Sequence, residues 1–146
     1  MTPGVTPLVA GNWKMNLNWE EAKLLLAELN DSEIPADVEV IIAPPAPYLS
    51  GLSVGDKLHL AAQNVHSEAS GAYTGEFSAA QIKSLGLSYA IVGHSERRAM
   101  FGESDSVVAS KVKALLSEGM SPIFCCGESL DERESEEYFD VIRRQV

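Results

Sequence analysis

Short apolar runs alternate along the chain with stretches of helical period. Leu8–Asn12, Glu39–Ala43, Leu58–Ala62, Tyr89–Val92 and Ile123–Cys126 are nearly continuous apolar runs, as expected of strands covered on both faces. Between them, Asn18–Leu29 places Trp19, Ala22, Leu26 and Leu29 on one helical face. Phe77–Leu85 is predicted as a second helix, and Ser106–Glu118 as a third, with Val108, Val112 and Leu115 on one face and Gly119 where a helix stop wants positive φ. Pro44–Pro45 ends the second strand before a short element around Tyr48–Leu52, and Ser135 is expected to cap a last helix containing Phe139, Ile142 and Val146. No hairpin signal joins neighbouring strands, so the pattern predicts an α/β fold with a parallel sheet covered by helices. Periodicity alone leaves open a doubly wound sheet or part of a barrel, since right-handed crossovers suit both.

Composition narrows the function more than the fold. The chain has 146 residues, 45% apolar and 22% charged, enough for one domain with a sizeable core. Eleven Lys and Arg against 21 Asp and Glu give a net charge of −10, which disfavours nucleic acid and anionic membranes as partners. No apolar run reaches membrane-spanning length, and the opening MTPGVTPLVAG lacks the charged and apolar regions of a secretory leader. Cys125 and Cys126 are adjacent, an arrangement that disfavours a disulfide and is expected of reduced thiols in a cytoplasmic protein.

Three segments carry chemistry: AGNWKMN at Ala10–Asn16, GAYTGE at Gly71–Glu76 and AIVGHSERR at Ala90–Arg98. With GESD at Gly102–Asp105 and CCGESLDERE at Cys125–Glu134, they resemble the triosephosphate isomerase family in order and spacing over essentially the whole chain. The resemblance implies a (β/α)8 TIM barrel, of about 250 residues in eight units. Five units take about 156 residues on that scale. The chain is therefore expected to be an incomplete barrel, one domain over 1–146 ending within the fifth helix.

The same resemblance implies interconversion of dihydroxyacetone phosphate and glyceraldehyde 3-phosphate through an enediolate, with no cofactor and no metal. It assigns Asn12 and Lys14 to substrate binding and charge stabilisation, and His94 to the electrophile, a neutral imidazole as is known of this enzyme. The resemblance counts Glu96 with His94 and Lys14 among the catalytic residues, as a supporting polar side chain and not as the base; Ser95 and Cys125 support the proton-abstracting glutamate. That glutamate and its lid belong to the sixth unit in the family, and the main phosphate loops to the last two. The chain alone is therefore expected to be inactive. Family subunits pair through the Gly71–Glu76 loop, with Thr74 at its tip and Tyr73, Glu76 and Arg98 as further interface residues. His59 and His66 lie in no catalytic motif and read as ordinary hydrogen-bonding side chains.

Two other enzyme classes fit poorly. His94–Ser95–Glu96 matches the H-x-E of zinc deaminases, but the adjacent Cys125 and Cys126 replace the required C-x-x-C and point to opposite strand faces. No G-x-G-x-x-G or G-x-x-x-x-G-K-[ST] follows a strand, and Ala43–Pro47 offers prolines where a phosphate loop needs N–H donors. A non-catalytic reading stands beside the isomerase one: a barrel fragment that folds by self-association or by docking a complementary C-terminal fragment. Its motivation is the expectation of bare strand edges near Leu8–Gly11 and Ile123–Cys126, and of an inner face without its opposite wall.

Overall fold

The computed structural model describes residues 6–146; Met1–Val5, part of the opening read for a leader, lie outside them. Strands β1 (Leu8–Asn12), β2 (Glu39–Ala43), β3 (Leu58–Ala62), β4 (Tyr89–Val92) and β5 (Ser121–Phe124) form one sheet in the order β1-β2-β3-β4-β5. Every pairing is parallel. Sequential parallel strands joined by helix-bearing crossovers, reduced to one 3-10 turn at Ala46–Tyr48 between β2 and β3, are the arrangement of consecutive barrel units, and a half-barrel is what five of them make.

Strand side chains alternate between two layers. Ile41, Ala43, Ala61 and Ile91 form the inner cluster, with Tyr89, Ile123 and Cys125 against it. Outward, Ile42 and Leu58 meet Leu26 of α1 (Trp19–Asn30), whose Ala22 is also fully buried. Also outward, Ala62, Ala90 and Val92 meet Ile82 of α2 (Ala79–Ser84) and Val108 and Leu115 of α4 (Asp105–Ser117). The helices begin where side-chain oxygens satisfy the first orphan N–H groups: Asn18, Ser78 and Ser104 cap α1, α2 and α4.

Four expectations need correction. β5 begins two residues earlier than the apolar run and ends at Phe124. Pro122 is tolerated because Ser121 donates its N–H to Ser88 O, just before β4, and Cys125 to Val92 O of β4, which turns the donorless nitrogen of Pro122 the other way. Ser135 does not cap the last helix; it closes a separate helix α5 (Leu130–Glu134), which Ser129 opens by a reciprocal capping box with Glu132. The last helix, α6 (Tyr138–Gln145), buries Val141, while Phe139 and Val146 are exposed. Finally, the inner face is less open than expected: Ile41, Ala43, Ala61 and Ile91 are all at most 4% exposed, because the curled sheet covers its own middle. Exposure is concentrated on β1, where Leu8 and Val9 are about half accessible.

Candidate active site

The C-terminal ends of β1, β3 and β4 converge on one cleft of about 410 Å³, lined among others by Asn12, Lys14, Gln63, His94, Glu96 and Arg97. Asn12 is the last residue of β1, and its Oδ1 accepts the Lys14 N–H at 2.9 Å. This short bridge holds Lys14 at φ 55°, a left-handed backbone that a lysine adopts only when neighbours enforce it. Gln63, just past β3, adds a second restraint by donating from Nε2 to the carbonyls of Lys14 and Ala43, both at 2.8 Å. The ammonium of Lys14 then reaches Glu96 Oε1 at 2.7 Å.

His94 is the N-cap of α3 (Ser95–Phe101), a helix absent from the periodicity reading. Its Nδ1 accepts the Glu96 N–H at 3.3 Å, which occupies that nitrogen's lone pair. A neutral ring in this geometry carries its proton on Nε2, the nitrogen left free for a ligand. Gly93 precedes His94 at φ 71°, and a Cβ there would sit 2.8 Å from Val108 Cγ1 and 3.1 Å from the Cys125 carbonyl. Only glycine lets the chain turn this tightly from β4 into α3.

Glu96 is held below the ordinary carboxylate range, chiefly by the hydrogen bond from Lys14. A general base works best with a pKa close to the working pH, so this shift runs in the wrong direction for Glu96 to serve as one. Its chemistry is to fix the Lys14 ammonium.

The remaining motif residues fall into two further places. Ser95 and Cys125 share a groove of about 340 Å³ with Gly93, His94, Cys126, Gly127 and Glu128. Burial raises the Cys125 thiol above its usual pKa, which suits packing better than nucleophilic chemistry. Arg98 spends its donors inside the chain, on Gly93 O at 2.7 Å, Asp105 Oδ1 at 2.5 Å and Cys125 O at 3.4 Å. The Gly71–Glu76 loop is exposed throughout, with Thr74 at its turn and the Tyr73 ring 4.1 Å from that of His66. Glu76 lines the Lys14 cleft and faces Asn64 Nδ2 at 3.5 Å.

Sequence reasoning missed the residues beneath the cleft. Lys111, 4% exposed, donates to Asn64 Oδ1 at 2.7 Å and Glu103 Oε1 at 2.5 Å, and Arg97 Nε donates to the same Glu103 oxygen at 2.5 Å. Burial alone would raise the Glu103 carboxyl, but hydrogen bonds from Lys111 and Arg97 outweigh it and hold the group below its usual value. Two signals were available. Gln63–Asn64 follows a strand end as Asn12 and His94 do, and Lys111 lies on the apolar stripe of α4, where a charge needs partners.

Among the described residues, no three His, Cys, Asp or Glu side chains converge as metal ligands, and no helix is long and apolar enough to cross a membrane. The family model described as triosephosphate isomerase matches residues 7–146. The chain is 48% identical over 143 residues to the triosephosphate isomerase of Alkaliphilus oremlandii, covering 96% of this chain and 58% of that protein. It is 47% identical to that of Debaryomyces hansenii over 94% of this chain and 57% of the relative, and 43% identical to that of Cytophaga hutchinsonii over 95% and 57%. The chain thus spans a little under three-fifths of the relatives it matches. The cleft at the strand ends and this match, which takes in nearly every residue, place the chain in the triosephosphate isomerase family.

Proposed function

We propose that this chain supplies the electrophilic half of a triosephosphate isomerase site. The supporting observation is the arrangement of His94 and Lys14: Nδ1 of His94 is occupied by the α3 backbone, and Lys14 is fixed by Glu96, Asn12 and Gln63. His94 Nε2–H would donate to the two oxygens of dihydroxyacetone phosphate or glyceraldehyde 3-phosphate as the enediolate forms, and Lys14 would stabilise the growing negative charge. A proton must also leave carbon, and the carboxylates near the clefts are engaged elsewhere. Glu96 is paired with Lys14, Glu128 with Arg133 at 3.1 Å, and Glu76 faces Asn64. The base, its lid and the main phosphate loops would come from barrel units not represented among these residues.

On this reading the chain by itself has no enzymatic turnover, and the roles of Ser95 and Cys125 are to pack against the incoming base. A coupled assay on the purified chain tests it: turnover at background is expected, and substantial turnover abolished by His94→Ala would overturn it. Among the described residues, β1 and β5 each have one sheet neighbour, and Leu8 and Val9 of β1 are exposed, as are Met15 and Phe101 in the cleft lining. These support an assembly in which a second copy or a complementary fragment covers the edges, with Thr74, Tyr73 and Glu76 in the contact. Sedimentation at low micromolar concentration should show a species heavier than 15.7 kDa; a cooperatively unfolding monomer would contradict it.

A further inference from the structure

The groove that holds Ser95 and Cys125 has two backbone walls, at the ends of β4 and β5, and two side chains grip them. Arg98 binds the carbonyls of Gly93 and Cys125, tying the ends of β4 and β5 together. Further along the same wall, Gly127 lies beyond the end of β5, and Cys125 N–H to Val92 O is the last ladder bond toward β4. Among the described residues, the Gly127 peptide therefore has no strand to pair with. Its partner is Gln145, the last residue of α6: Gly127 N–H donates to Oε1 at 2.8 Å, and Nε2 donates to Gly127 O at 3.1 Å. A carboxamide is the side chain that offers a donor and an acceptor in one plane, so it meets a peptide as a neighbouring strand would. The helix that carries it is itself fixed. Val141 is 2% exposed, and Arg144 reaches Asp105 Oδ2 at 3.2 Å and Glu132 Oε1 at 3.6 Å. Asp105 is also the carboxylate that holds Arg98, so both grips share one anchor.

We propose that Gln145 is a positioning residue that fixes the Gly127 peptide, and through it the course of Cys126–Glu128 along the groove shared with His94 and Ser95. The assignment rests on the reading of that groove as part of the isomerase site. Length and both polar atoms matter. Gln145→Met keeps the reach and loses both hydrogen bonds, whereas Gln145→Glu keeps the acceptor for the Gly127 N–H and loses the donor.

Amide exchange and heteronuclear NMR on the chain test this without need of turnover. In Gln145→Met, exchange at Gly127 should rise about fivefold or more, the factor of one lost hydrogen bond. The His94 and Ser95 resonances should shift, while amides in the middle of α6 keep their protection. Gln145→Glu should retain the Gly127 protection and return most of the His94 shift. Unchanged exchange at Gly127 in Gln145→Met would overturn the proposal. An equal rise at Gly127 and throughout α6 would do so too, because Gln145 would then only stabilise its own helix. Adding dihydroxyacetone phosphate to the unmodified chain mixed with a second chain carrying barrel units six to eight separates the two readings: a silent His94 ring contradicts the isomerase site and leaves the Gly127 clamp standing.

Discussion

Replacing Lys111 by methionine removes a cation from the buried network under the cleft while nearly preserving side-chain volume. Its ammonium holds Asn64 Oδ1 and Glu103 Oε1, and Glu103 Oε2 is already buried without a partner. In Lys111→Met the carboxylate keeps only Arg97, so a charge at a position 9% exposed loses one of its two cations. Removing one partner of a buried pair costs about 3–5 kcal/mol, and the surviving Arg97 bond puts the expected loss near the lower end. That is a large share of the roughly 5–15 kcal/mol available to a domain. The pH dependence follows in sign. The Glu103 carboxyl is depressed in the folded chain, so its contribution is fully present above the unfolded value, near pH 4.3, and is lost as pH falls through the folded value. In the variant, burial has less opposition and the folded value rises, so the gap between variant and parent should narrow below about pH 4. Urea unfolding at fixed protein concentration, at neutral pH and near pH 4, measures both effects. The double variant Lys111→Met/Glu103→Leu should recover most of the loss, because the one charge left without its partner is Arg97, whose side chain is a quarter exposed and reaches water, whereas the carboxylate was buried. A single-variant cost under about 1 kcal/mol, or a double variant no more stable than the single, would refute this account of the network.

Two further changes follow from the geometry at the end of β4 and β5. Gly93→Ala places a methyl 2.8 Å from Val108 Cγ1 at φ 71°, and should cost about 1–3 kcal/mol in thermal or urea unfolding; a neutral result would mean that the β4–α3 turn relaxes freely. Burial keeps the Cys125 thiol protonated while Cys126 is exposed, so iodoacetamide near neutral pH should label Cys126 first. Peptide mapping that found Cys125 modified as fast would contradict the packing assigned to it.

The strands and their order were legible where apolar runs had sharp ends: β1 to β4 fall on the predicted residues. β5 was displaced because hydropathy passes over Ser121 and Pro122, whereas the ladder with Tyr89 and Ala90 includes them. The α3 helix was invisible to periodicity because its sequence SERRAMF has no buried face; Met100 and Phe101 are exposed, and its start is set by the His94 cap and its end by Gly102 at φ 66°. The α5 start was readable from Ser129 and Glu132, a capping box passed over in favour of Ser135. Of the site, Asn12, Lys14, His94 and Glu96 could be named because they sit in contiguous motifs. Gln63, Asn64 and Lys111 carry local signals of position, a strand end and an apolar stripe, but the partners they bind, up to 49 residues away in sequence, are not encoded by any local pattern.

The most direct test of the central claim is isomerase turnover by this chain mixed with a second chain carrying barrel units six to eight. The account predicts background rates for each chain alone, turnover on mixing, and loss of that turnover with Lys14→Ala or His94→Ala in this chain. Turnover on mixing that survives both substitutions would show that the electrophilic half of the site does not lie here.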